Sequence, residues 1–194
     1  TDEKFLTVDT EETSQGLNGN PYGFSEYVET DLGNVYRGTN DVQYIANCIK
    51  AIVDNEYPIH YELLCKKLAP IFGYERASTK IKNYVDFVIR NKMSKDVIKK
   101  GSFLYPKGKH EIIIRVPNTR PINYISVEEL SQAMFIIAGK CVGVTKNALI
   151  VETARAYGFN RTGVKINNQM QKAYYLLLAS GRVKEIDGKI VINQ

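Results

Sequence analysis

Phe72-Gly73-Tyr74-Glu75-Arg76, followed by Lys80-Ile81 and Asn83, returns 85 residues later as Tyr157-Gly158-Phe159-Asn160-Arg161, followed by Lys165-Ile166 and Asn168. In both places a glycine stands between two aromatic residues, where a left-handed helix C-cap is expected, and a basic residue comes three positions after it. The match extends in both directions without a gap. Val42 pairs with Val127, Ile52 with Ile137, Leu64 with Leu149 and Ala69 with Ala154. Conservative pairs fill the intervals: Ile45 with Leu130, Ile49 with Met134, Ile59 with Val144, and Val85 with Met170. Such a run is poorly explained by chance and reads as a tandem duplication.

The periodicity within the first copy predicts three helices. Val42, Ile45, Ile49, Ile52 and Val53 share a helical face from Asp41 to near Tyr57-Pro58, with Asn40 or Asp41 as cap. A second helix is expected from His60 to Phe72, closed by Gly73, and a third from Ser78 to about Lys92, with Ile81, Tyr84, Val85, Val88 and Ile89 inward. Two β-like stretches, Ser102 to Tyr105 and Glu111 to Val116, are expected to form a hairpin through Pro106-Lys107-Gly108-Lys109. In the second copy Arg182 to Ile186 and Lys189 to Ile192 flank Asp187-Gly188, a strong two-residue turn signal. Three helices followed by a β-hairpin is the order of a winged helix, a relative of the helix-turn-helix. The expected fold class is therefore mainly α, of the α+β kind: tandem duplicated winged-helix-like units, residues 41–117 and 124–194, joined by an extended connector at 118–123. The alternative is a generic helical bundle carrying a hairpin.

Residues 1–40 form an acidic leader rich in Gly, Asn and Thr, irregular except for one short element around Tyr22 to Tyr27. They hold eight acids against Lys4 and Arg37, a net −6, so the other 154 residues, with 24 bases and 13 acids, stand at +11. A basic body of this kind suits a polyanionic partner. No run is apolar enough to span a membrane, no secretory leader is visible, and a soluble, cytoplasmic chain without a membrane partner is expected. The first residue is not Met, which points to a segment of something longer. Cys48, Cys65 and Cys141 are odd in number, widely spaced and set in helical patterns, as reduced core residues would be. Neither His60 nor His110 stands at ligand spacing from a cysteine, so no structural zinc is expected.

Tyr57-Pro58-Ile59-His60 leading into Leu63-Leu64, Gly73-Tyr74-Glu75-Arg76, Gly101-Ser102-Phe103-Leu104, Ile114-Arg115-Val116-Pro117 and Gly158-Phe159-Asn160-Arg161-Thr162-Gly163 together carry a resemblance. Over about residues 41–194 the chain resembles the uncharacterised C-terminal domain of large bacterial helicase-like proteins. In that family the domain follows a superfamily-one ATPase motor and a restriction-endonuclease-like portion. The resemblance implies a helicase-associated context, and it carries no catalytic residue to this chain.

No phosphate-binding Gly-x-x-x-x-Gly-Lys-[Ser/Thr] string occurs; Gly16, Gly19 and Gly23 lack both the Lys and a following helix. Glu185, Asp187 and Lys189 mimic the acidic pair and lysine of a nuclease, but turn geometry alone explains Asp187-Gly188. No enzyme, cofactor, metal site or small-molecule substrate is expected. The nucleic-acid-binding candidates are Arg76, Lys80 and Lys82 with Asn83, their counterparts Arg161 and Lys165 with Asn167 and Asn168, and the wing bases Lys107, Lys109, Arg182, Lys184 and Lys189. A structural role competes: the two arginines could brace helix corners and the asparagines could bond backbone. Phe72, Tyr74, Tyr157 and Phe159 read as core rather than as stacking platforms. The leading expectation is an accessory DNA-binding domain of a helicase or nuclease-like protein; the runner-up is a module that docks on the rest of the same parent chain.

Overall fold

The structure is a computed structural model and describes residues 20–38, 40–108, 111–116 and 119–193. Its described residues form a mixed α/β protein of six α-helices and two three-stranded antiparallel sheets. The first half runs α1 (Asp41–Glu56), β1 (Ile59–His60), α2 (Tyr61–Leu68), α3 (Thr79–Lys92), β2 (Val97–Lys100) and β3 (Phe103–Pro106). The second half runs α4 (Val127–Lys140), β4 (Val144–Thr145), α5 (Lys146–Ala156), α6 (Val164–Ala179), β5 (Val183–Ile186) and β6 (Lys189–Ile192). The order of elements is the same in both, and so is the sheet order: β1-β3-β2 and β4-β6-β5.

Apolar positions shared by the two halves supply much of each core. Ile45, Ile49, Ile52, Leu64, Leu68, Val85 and Leu104 sit in one cluster, and Leu130, Met134, Ile137, Leu149, Met170, Tyr174 and Ile190 in the other. Each of these side chains is at most 2% exposed, so burial of each contributes roughly 1.5–3 kcal/mol relative to exposure. Cys48 and Cys65 are buried free thiols, and Cys141 is a half-buried one.

The two glycine corners are built alike. Gly73 (φ 76°) donates its amide to the Pro70 carbonyl and Tyr74 donates to Ala69; Gly158 (φ 84°) donates to Arg155 and Phe159 to Ala154. Both are Schellman closures, in which two otherwise orphaned carbonyls of the helix end are satisfied by a residue in the left-handed region.

Three expectations need correction. The second helix does not continue as α-helix to Phe72: α2 stops at Leu68 and Ala69–Phe72 is a 3-10 turn. Pro70 lacks the amide that an α-helical bond would need. At the matching position of the second half stands Arg155, and α5 stays α-helical through Ala156.

The first hairpin also lies elsewhere. β2 pairs with β3 from Val97↔Pro106 to Lys100↔Phe103, turning at Gly101-Ser102, and not through Pro106-Lys107-Gly108. Residues 111–116 instead run extended against the second half, where Ile114 and Val116 join its core and Arg115 bridges to Ser25. The second hairpin falls where the Asp187-Gly188 signal puts it, with both turn residues at positive φ (50° and 71°), as a type I′ turn requires.

Finally, Tyr74 is not core: it is 48% exposed. Tyr157 is fully buried, whereas Phe72 and Phe159 are partly so.

The leader, where described, is a strap across both halves. Phe24 enters the second core, and Tyr22 donates its hydroxyl to Glu152 of α5 at 2.6 Å. Tyr27 Oη and Thr30 Oγ1, both at 2.7 Å, and the Thr30 amide at 2.9 Å donate to Glu56 at the end of α1. Residues 1–19, with most of the leader's acids, lie outside the described residues.

Candidate nucleic-acid interface

The Schellman corner turns each chain half so that the next helix starts at the surface. The first-turn residues Lys80 of α3 and Lys165 of α6 are exposed, as are Arg76 and Arg161 in the loops before them. None of these four side chains makes a hydrogen bond or ion pair among the described residues, so the bracing role for the arginines is not seen. Asn83 and Asn168 are likewise exposed, and neither side chain bonds backbone. On α6, Lys165, Asn168 and Lys172 stand three and four residues apart, one exposed stripe. The same stripe on α3 is Lys80, Asn83 and Phe87. α6 starts at Gly163 without a capping side chain, whereas α3 is capped by Ser78 Oγ accepting from the Ile81 amide at 3.4 Å.

The other candidates divide. Lys184 and Lys189 lie exposed on β5 and β6, flanking the hairpin turn. Lys82 is half-buried and paired with Glu62 at 3.3 Å. Arg182 is committed internally: it donates to Gln132 at 2.7 Å and lies over the Phe135 ring at 4.4 Å. Lys107 follows β3 at the base of its hairpin and donates to the Ser94 carbonyl at 3.3 Å, so it is not a wing-tip base. Lys109 lies outside the described residues. Glu185 accepts from Tyr174 at 3.0 Å, and Asp187 fills the turn. That bond and burial push the Tyr174 hydroxyl up to about 12, burial being the larger cause.

Sequence reasoning passed over Lys99 and Lys100, the exposed bases of the true first hairpin, 3.9 Å from the Tyr61 centroid and 5.0 Å from the Tyr105 centroid respectively. The signal was available: moved back by 85 positions, β5 falls on residues 98–101.

A buried polar seam, also missed, locks the halves together. Arg120 forks onto Glu129 (2.8 and 3.2 Å), both essentially inaccessible. Arg115 donates to the carbonyls of Asn55 (2.6 Å) and Tyr57 (2.7 Å), closing the C-terminal end of α1 with a cation. Burial lowers the Arg115 pKa from its usual value, partly offset by Glu129. At the rim, His60 stacks on Tyr124 at 4.6 Å, and Lys66 donates to the Tyr124 hydroxyl at 3.0 Å.

A family model described as "Protein of unknown function (DUF3320)" matches residues 39–83, from the start of α1 through the first glycine corner to Asn83. That stretch is similar to a domain of unknown function. No curated protein and no solved structure matches the chain significantly. No helix of the described residues is long and apolar enough to cross a membrane.

Proposed function

We propose that the chain is a duplicated pair of winged-helix-like units that binds DNA through its backbone, serving a larger helicase or nuclease-like protein and carrying no catalysis of its own. One observation carries the reading: at equivalent places in the two halves, a basic loop residue and a basic first-turn residue of the third helix stand exposed without a partner among the described residues (Arg76 and Lys80, Arg161 and Lys165). Phosphate oxygens are the ligands that such cations satisfy, and the N-terminal part of a third helix is the part a winged helix offers to DNA. The hairpin bases Lys100, Lys184 and Lys189 are set to reach flanking phosphates, whereas Lys99 stands 3.9 Å from the Asp86 carboxylate. The repeated element order and paired corners support the duplication. The resemblance to the C-terminal domain of helicase-like proteins supports the parent.

The test is fluorescence anisotropy with duplex DNA at rising salt. Affinity is expected to fall steeply with salt, and to be lost in a folded Arg76→Ala, Arg161→Ala, Lys165→Ala protein. Absence of binding at low salt would reject the reading. The second reading, docking against the parent chain, draws on the exposed aromatic side chains Tyr74 and Phe87, both 48% exposed. It predicts association with the parent's other domains that the triple substitution leaves intact.

A further inference from the structure

The two halves do not offer the same surface along their third helices. Phe87 of α3 occupies the place that Lys172 holds on α6; one turn earlier Tyr84 matches Gln169, and on the first helices Tyr44 matches Glu129. These aromatics, with Phe72 and Tyr74, line a groove of about 980 Å³ between the start of α1, the first glycine corner and α3. The ring assembly is braced: Phe72 meets Tyr84 edge-on at 5.6 Å, and Tyr84 lies beside Phe87 at 6.3 Å with planes 26° apart. Tyr74 and Phe87 nevertheless keep about half their surface open. Two cations border the groove, Lys80 and Arg37, the latter 5.3 Å from the Tyr44 centroid; Asp41 is the one acid in the lining.

Open ring faces beside two cations fit a planar ring carried on an anionic backbone. An apolar peptide would use the rings and leave Lys80 unpaired; a duplex, whose bases are stacked inside, would use the cations and leave the rings wet. An unstacked nucleotide engages both, its base on the rings and its phosphate on the cations. We propose that the groove of the first half is a binding site for an unpaired base of a single strand, whereas the α6 stripe, with Lys172 in place of Phe87, meets backbone alone. The inference rests on the nucleic-acid reading above and adds to it a division of labour between the copies.

The experiment uses the whole 194-residue chain, a single-stranded DNA oligonucleotide carrying the fluorescent base 2-aminopurine, and a duplex of the same length. The single strand is expected to bind with quenching of 2-aminopurine. Phe87→Ala is expected to weaken it about ten-fold while leaving duplex affinity unchanged. Phe87→Lys, which gives the first half the residue of the second, lowers the ratio of single-strand to duplex affinity and places its charge at a half-exposed helix position, where it does not threaten folding. Arg161→Ala with Lys165→Ala weakens duplex binding. If duplex binds and single-strand affinity ignores Phe87, this inference fails and the reading stands. If neither DNA binds, both fail.

Discussion

Glu129 is a buried carboxyl group with no exposed surface. Its carboxylate is made tolerable by the Arg120 fork, the Arg115 amide at 3.3 Å and the Tyr157 hydroxyl at 3.4 Å. Removing one partner of a buried pair strands the other, so Glu129→Ala is expected to cost about 3–5 kcal/mol in urea unfolding. Glu129→Leu combined with Arg120→Met should cost less than either single change; a double variant worse than both would show that the pair is not what the seam depends on. His60 gives a pH-dependent counterpart. Its Nδ1 accepts the Glu62 amide at 3.2 Å to cap α2, and desolvation, helped by Lys66 and Lys99, lowers its pKa from 6.5. With the folded value below the unfolded one, stability is full above about pH 6.5 and is lost as pH falls through the lower folded value. Glu62, held below its usual 4.5 by Lys82 and Tyr124, loses its contribution only at lower pH still. His60→Asn keeps a capping acceptor and should flatten the upper of these two windows in urea midpoints measured across pH.

Elements that rest on a local rule were legible in the sequence. A Schellman closure needs a residue at positive φ, so glycine announced both corners, and no atom lies within 4 Å of where a Cβ would stand on Gly73 or Gly158. Gly73→Ala and Gly158→Ala are therefore expected to cost about 1 kcal/mol each, from backbone strain alone and equally in the two halves, as read from thermal melts. Unequal costs would argue that the corners sit in unlike surroundings. The long helices were legible for the same reason, through their apolar faces. β1 and β4 were not, because two residues are too few to show an alternating period. The first hairpin was misplaced because Pro106-Lys107-Gly108 carries a louder turn signal than Gly101-Ser102, where only Gly101 needs positive φ (57°).

At the scale of the molecule, what joins the halves was hidden. The seam brings together residues 58 and 60 positions apart, Arg115 with Tyr57 and Asn55, and the strap reaches 130 positions, from Tyr22 to Glu152. Arg115 was expected in a hairpin strand and Arg120 in the connector, places where charged residues are read by default as solvated, and nothing in local periodicity marks them as buried. The candidate interface was half legible. The bases singled out around each corner stand exposed, while Lys82, Lys107 and Arg182 are engaged by neighbours, and three aromatics of the groove, Phe72, Tyr74 and Tyr84, were taken for core. Burial of an aromatic depends on what packs over it, and the packing around Tyr74 and Phe87 leaves each 48% exposed.

If the exposed cations at the helix corners bind DNA phosphates, the salt dependence of duplex affinity counts them. Each phosphate contact contributes about −0.9 to the slope of log K against log salt. Arg161→Ala with Lys165→Ala should make that slope shallower by about two units. An unchanged slope, in a variant that melts like the parent protein, would contradict the account.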